Sequence, residues 1–240
     1  MKTQNYIFLV FLIVTNFALN AQDRSAFGLN FSSNYTFRSL TTNDTDIESL
    51  IDFRNELEQG IFGFNVGGTY SYQFNIGLTI LTGIEYTRFG YNMPHVPFVS
   101  LGSDAEGIGS FQSSYGYLGV PLSIGYIYDL SEKLSISVAI GTTLSAFLDY
   151  RRSYTVNWQD GTVDSYKLVD YDNPNDFYRF HPIFKSSLGL DYKFSNSFYL
   201  RLEPTLQYSL MPIVDAPVHE RLYSIGLNTG VHYILRSSKK

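Results

Sequence analysis

The sequence predicts an all-β chain: eight antiparallel strands, closed in up-and-down order into a transmembrane β-barrel and preceded by a cleavable signal peptide. Three observations predict it. Apolar and polar residues alternate with a period of two from Ala26 onward, short and long connections alternate between the strands, and aromatic residues gather at both ends of the apolar stripes.

Composition sets the outer bounds. A mean hydropathy of -0.07 resembles that of a soluble protein, but a strand that alternates lipid-facing with lumen-facing residues averages to such a value by construction. The net charge of -5 leaves no electrostatic footprint for a nucleic-acid partner. With no cysteine, disulfides, thiolate metal sites and cysteine nucleophiles are all excluded.

The N-terminus carries the export signal. Lys2 is followed by an apolar run from Ile7 to Leu19, then by Ala18-Leu19-Asn20-Ala21, which predicts a signal peptide over residues 1–21 with cleavage after Ala21. The run is too short to span a bilayer as a helix, and no later stretch is apolar for the ~18 residues such a helix needs. The mature domain, residues 22–240, must therefore cross a membrane as strands.

The strands follow in order. The first sets Phe27, Leu29, Phe31, Tyr35 and Phe37 against Gly28, Asn30, Ser32, Asn34 and Thr36. The second carries Phe62 to Phe74 on its apolar side, the third Ile76, Leu78, Ile80, Ile84 and Tyr86, and the fourth Leu118 to Tyr128. The fifth runs from Leu134 to Leu144, the sixth from Phe184 to Tyr192, the seventh from Phe198 to Tyr208 and the last from Tyr223 to Tyr233. Tight turns are expected around Asn75, at Asp129–Lys133 and at Ser195-Asn196. Long connections are expected at Ser39–Gly60, Asn92–Ser114, Asp149–Arg179 and Met211–Glu220. Strict alternation of the two puts all long loops on one rim.

Aromatics support the same placement. Tyr35, Phe37, Tyr86, Tyr117, Tyr208 and Tyr223 fall on the long-loop side; Tyr72, Phe74, Tyr126, Tyr128, Tyr192, Phe198 and Tyr233 fall on the other, with an aliphatic belt between. The opposite face is small and polar, the reverse of a soluble barrel. Pro121 and Pro204 lie inside strands, where each is expected to make a bulge or to end regular pairing.

The segments Tyr117-Leu118-Gly119-Val120-Pro121-Leu122, Leu200-Arg201-Leu202-Glu203-Pro204 and Ser224-Ile225-Gly226-Leu227-Asn228, with Val231-His232-Tyr233, resemble the PorT-like outer-membrane β-barrel domain family over about residues 26–235. The resemblance implies a small outer-membrane barrel, and for PorT itself an association with protein export to the cell surface. The chain closes with Leu235-Arg236-Ser237-Ser238-Lys239-Lys240 in place of a terminal aromatic.

The inner face carries Glu85, Lys185, Arg201 and Glu203, which are expected to pair with one another in a structural lumen network. An eight-stranded interior is just wide enough for side chains to fill, so free diffusion is not expected. Of the histidines, His95, His181 and His219 fall in or beside long loops and read as solvated; His232 lies near the opposite end. His219-Glu220 is the pair that a lipid-modifying hydrolase would use, but no G-x-S-x-G elbow and no spaced serine accompanies it. Asp170-Tyr171-Asp172-Asn173-Pro174-Asn175-Asp176 offers oxygen ligands for Ca²⁺, yet lacks the glycine and distal glutamate of an EF-hand and fits an Asx-rich turn. Residues Asp46 to Leu57 have the spacing of a short helix over the barrel mouth, or form an acidic loop.

The sequence thus predicts a non-enzymatic barrel of the bacterial outer membrane, exported by a Sec-type signal. It needs no cofactor or metal, and its partners are outer-membrane lipid and other envelope proteins met through the long loops. A surface lipid hydrolase and a narrow pore are the alternatives.

Overall fold

The computed structural model describes residues 24–99, 106–170 and 177–235. The expected signal peptide and cleavage site (1–21), most of the Asx-rich segment (171–176) and the tail after Leu235 lie outside these residues.

Among the described residues, nine strands and one helix follow in order: β1 (Arg24–Thr42), α1 (Glu48–Leu57), β2 (Gln59–Gln73), β3 (Leu78–Val99), β4 (Glu106–Asp129), β5 (Leu134–Trp158), β6 (Val163–Asp170), β7 (Phe180–Lys193), β8 (Phe198–Ser209) and β9 (Val218–Leu235). Every pairing is antiparallel. The order β4-β3-β2-β1-β9-β8-β7-β5 is closed by β4 against β5, so eight strands form a ring without an edge. The ninth, β6, folds back on the upper half of β5 alone, from Tyr150 opposite Asp170 to Asn157 opposite Val163.

The wall is inside-out. Outward Leu29, Ile84, Ile124 and Leu188 are each at least 60% exposed, whereas Asn34, Thr36, Thr143 and Gln207 are buried in the lumen. Water would not tolerate so continuous an apolar exterior; a hydrocarbon layer requires it. From Leu118 to Tyr128, at about 3.3 Å per residue and a tilt of about 40°, the apolar stripe of β4 stands about 25 Å tall, the height of an outer-membrane apolar band.

Turn chemistry fixes which rim is short. Gly77 takes φ +87, open to glycine at little cost, and its N–H bonds Phe74 O at 3.0 Å to close the β2–β3 turn. Ser195 Oγ accepts the N–H groups of Ser197 and Phe198 between β7 and β8. Ile76 lies in the first of these turns rather than in β3, so the third strand starts two residues later than its alternation suggests.

The opposite rim is more ordered than the sequence predicts. The stretches 92–99, 106–114 and 149–158, expected as loops, continue as sheet: β3 and β4 stay paired up to Val99 opposite Glu106, and β4 and β5 up to Gly107 opposite Trp158. Their side chains are strand formers, with Phe98 and Phe111 both packed on Tyr154. At the β5–β6 tip, Asp160 Oδ1 accepts Thr162 N (2.9 Å) and Thr162 Oγ1 (2.6 Å), which holds the carboxyl below its ordinary range.

The prolines make no bulge. Register is the same on both sides of each, and the ladder skips only where the N–H is missing: between Thr82–Leu122 and Glu85–Gly119 at Pro121, and between Ser187–Thr205 and Leu190–Leu202 at Pro204. The register shifts fall elsewhere, at Gly60/Phe64, Met93/Val96 and Gly116/Tyr117.

Candidate functional site

A closed barrel of this size has one interior, and its contents divide into three levels. At the short-turn end, Arg201 grips Asp191 with two bonds of 2.7 Å, Nε to Oδ1 and Nη2 to Oδ2. The guanidinium lies 5.6 Å from the centre of the Tyr199 ring, which stacks on His232 at 4.6 Å. Room for that imidazole comes from Gly28, where a Cβ would fall 2.2 Å from His232 Nδ1.

The middle level is a polar chamber with about 50 Å³ of room, enough for a few waters, lined by Asn30, Asn65, Glu85, Lys185, Glu203 and His232 among others. Lys185 Nζ meets Glu85 Oε2 at 2.9 Å, and Thr143 Oγ1 donates to Glu85 Oε1 at 2.8 Å. Glu203 accepts from Ser187 Oγ (2.6 Å) and Asn228 Nδ2 (2.9 Å). A second chamber of about 40 Å³ lies on the other side of the Arg201–Asp191 pair, against Ser71, Asp129, Lys193 and Tyr199. The pair stands between two chambers with polar and charged lining residues.

The upper level is packed with aromatic and aliphatic side chains. Phe89, Tyr91, Tyr115, Tyr117, Tyr150, Ile183, Ile213 and Leu222 form one buried cluster, with Phe147 and Phe177 packed against it. Tyr117 is therefore a lumen residue: it stacks on His181 at 5.1 Å and does not belong to the outer girdle. Its neighbour Leu118 faces outward, and successive strand residues take opposite faces. Above the cluster sits α1. Asn55 binds both backbone groups of Leu40, accepting its N–H and donating to its carbonyl at 2.9 Å each. Arg38, buried beneath the helix, lies 3.7 Å over the Tyr91 ring and pairs with Glu58 and with Glu220 (2.6 Å).

No family model matches this chain, and neither does any curated protein. Among solved structures it is similar to Ail, the attachment invasion locus protein of Yersinia pestis (13% identity, 89% of this chain and 99% of that chain covered, TM-score 0.37). It is also similar to Neisserial surface protein A (13%, 87% and 97%, TM-score 0.39) and to the outer membrane protein OprG from Pseudomonas aeruginosa (10%, 90% and 97%, TM-score 0.44). Each is a distant likeness.

The four predicted lumen charges line one chamber, with a single ion pair formed among them. Glu85 and Lys185 meet, Glu203 lines the same chamber held by neutral donors, and Arg201 is taken by Asp191. Asp191 carries a legible signal: counted outward from the Ser195-Asn196 turn, it stands opposite Arg201. The histidines also differ from the expectation. His181 is fully buried, with Nε2 2.6 Å from Ser209 Oγ, not a solvated loop residue. His219 and Glu220 point to opposite faces of β9: Glu220 turns inward to Arg38, while His219 sits opposite the exposed Thr41. Adjacent strand residues cannot converge on one substrate atom. Among the described residues, no group of three or more His, Asp or Glu side chains is placed to hold a metal ion.

Proposed function

We propose that this chain is a barrel of the bacterial outer membrane, delivered by its N-terminal signal and serving as a non-enzymatic anchor for a surface platform. The observation that carries this reading is the pairing of an apolar exterior with a filled interior: lipid holds the outside, and paired charges below and aromatics above occupy the lumen. What remains for contact with envelope or extracellular proteins is the long-loop rim, where α1 covers the mouth and β3, β4, β5 and β6 rise as a projecting sheet. The segments quoted above support an affiliation with PorT-like barrels, and with it a role in the envelope or in secretion.

A split in surface accessibility tests the reading. An epitope tag at Asp46 or Asp160 is expected to be labelled on intact cells, and a tag at Asn75 or Glu132 only after permeabilisation. Labelling at Asn75 with protection at Asp160 would reverse the orientation and remove the platform. If the alternative of a lipid hydrolase held, His219→Ala would change outer-membrane acyl chain composition; the platform reading predicts no change.

A further inference from the structure

The outer wall carries an ion cluster at the upper edge of its apolar band. Across three strands, Arg88 of β3, Gly116 of β4 and Asp149 of β5 are register partners in one row. Gly116 has no side chain, so Arg88 reaches over it: Nη2 lies 2.6 Å from Asp149 Oδ1. A Cβ at Gly116 would come within 2.6 Å of Asp149 Oδ2, so the glycine is what lets the pair form. Arg88 also donates to the Tyr86 hydroxyl (2.9 and 2.6 Å) and to Ser114 Oγ (3.0 Å).

Face and depth are fixed by neighbours. Tyr115 and Tyr117 are buried in the lumen, so Ser114, Gly116 and Leu118 face outward. Leu118 is the top of the apolar stripe on β4, and the Gly116 row stands one step, about 5 Å, above it. That is the level of lipid headgroups.

The cluster has more cations than anions. Asp149 serves Arg151 as well as Arg88, through Arg151 Nε at 3.1 Å. The Arg151 side chain is half exposed, and its terminal N–H groups make no hydrogen bond among the described residues. Lys167 of β6 is exposed and sits diagonally across from Arg151, with backbones about 7–8 Å apart, since Arg151 pairs with Val169 and Ser153 with Lys167. One carboxylate thus orients two guanidinium groups beside an ammonium, with a planar donor fork free on the lipid side.

We propose that Arg151, oriented by Asp149 and Arg88 and assisted by Lys167, binds the phosphate of an anionic outer-leaflet lipid. A guanidinium fork matches two phosphate oxygens, and at the headgroup level such groups are the available counter-ions. The inference rests on the outer-membrane reading above.

The test uses the full folded chain in detergent, titrated with bis-phosphorylated lipid A, dephosphorylated lipid A, phosphatidylglycerol and phosphatidylcholine, with bound lipid counted by native mass spectrometry. Phosphorylated lipid A is expected to bind on the order of tenfold tighter than its dephosphorylated form, the worth of one charge-assisted contact. Arg151→Gln with Lys167→Gln is expected to erase that preference; both side chains are exposed or half exposed, so the barrel should keep its thermal unfolding. Phosphatidylglycerol binding as well as lipid A would identify a phosphodiester source, and preference for lipid A a phosphomonoester. Equal retention of phosphorylated and dephosphorylated lipid, or a preference that survives the double substitution, would overturn the site. Failure of the wild type to insert into phospholipid vesicles would instead overturn the outer-membrane reading.

Discussion

The two halves of the lumen are filled by opposite means. Near the short turns, the interior is polar and charged: Arg201 with Asp191, Lys185 with Glu85, and Glu203 held by Ser187 and Asn228 around small chambers. Near the mouth it is mainly aromatic, with stacked rings beneath a helix and one buried arginine locked between two carboxylates. Charges seal by pairing, and each depends on its partner. Aromatics seal by volume, and each depends on many neighbours. The two regions should therefore fail differently.

The largest effects come from breaking each seal once. Arg201→Ala leaves Asp191 as an uncompensated buried carboxylate, at an expected cost of about 3–5 kcal/mol. Phe89→Ala opens a cavity in the aromatic cluster at a similar cost of about 3–5 kcal/mol. The second change separates them. Adding Asp191→Leu to Arg201→Met should recover most of the loss, because an apolar pair can replace a buried ion pair with little penalty. No single substitution elsewhere should rescue Phe89→Ala. Urea unfolding from lipid vesicles reads both, and an unrecovered double variant would mean that the lower seal also works by packing.

A smaller effect is expected at the lid. Asn55→Ala removes two hydrogen bonds to the Leu40 backbone, about 1–2 kcal/mol confined to α1. Hydrogen exchange should speed up across residues 48–57 while the barrel unfolds as before. Uniform destabilisation would show that lid and barrel form one cooperative unit.

The smallest lies at the exposed β5–β6 tip. Asp160 is held below its ordinary range by Thr162, so its contribution is complete above the ordinary carboxylate value and is lost as pH falls through the depressed one. The Thr162 amide resonance should titrate with a midpoint below the usual value of about 3.9, and Asp160→Asn should abolish the transition. A midpoint at or above the usual value would contradict the hydrogen bonds drawn for this turn.

These regions also differ in how far they can be read from sequence. The eight-strand ring was legible because a period of two persists from Phe27 to Tyr233 and three tight turns punctuate it. Strand ends on the upper rim were not. Pro94 and Pro97 sit among the residues that continue β3, and polar Gln112 to Ser114 hide the pairing of β4. Tyr117 shows the limit of position along the chain as a guide: only parity against Leu118 tells lumen from lipid. For the site, Arg201 with Asp191 follows from counting around one hairpin. Glu85 with Lys185 joins strands that are not neighbours in the ring and needs the closed barrel. Arg88 with Asp149 needs the register shift beside Gly116, which no alternation pattern announces.

The central claim is that both seals leave no continuous path through the barrel, and conductance tests it most directly. In planar bilayers the purified wild-type protein is expected to show no steady current, and Arg201→Ala should lower stability without opening a large channel, since strand number sets the diameter. A sizeable and reproducible conductance in the wild type would contradict the account.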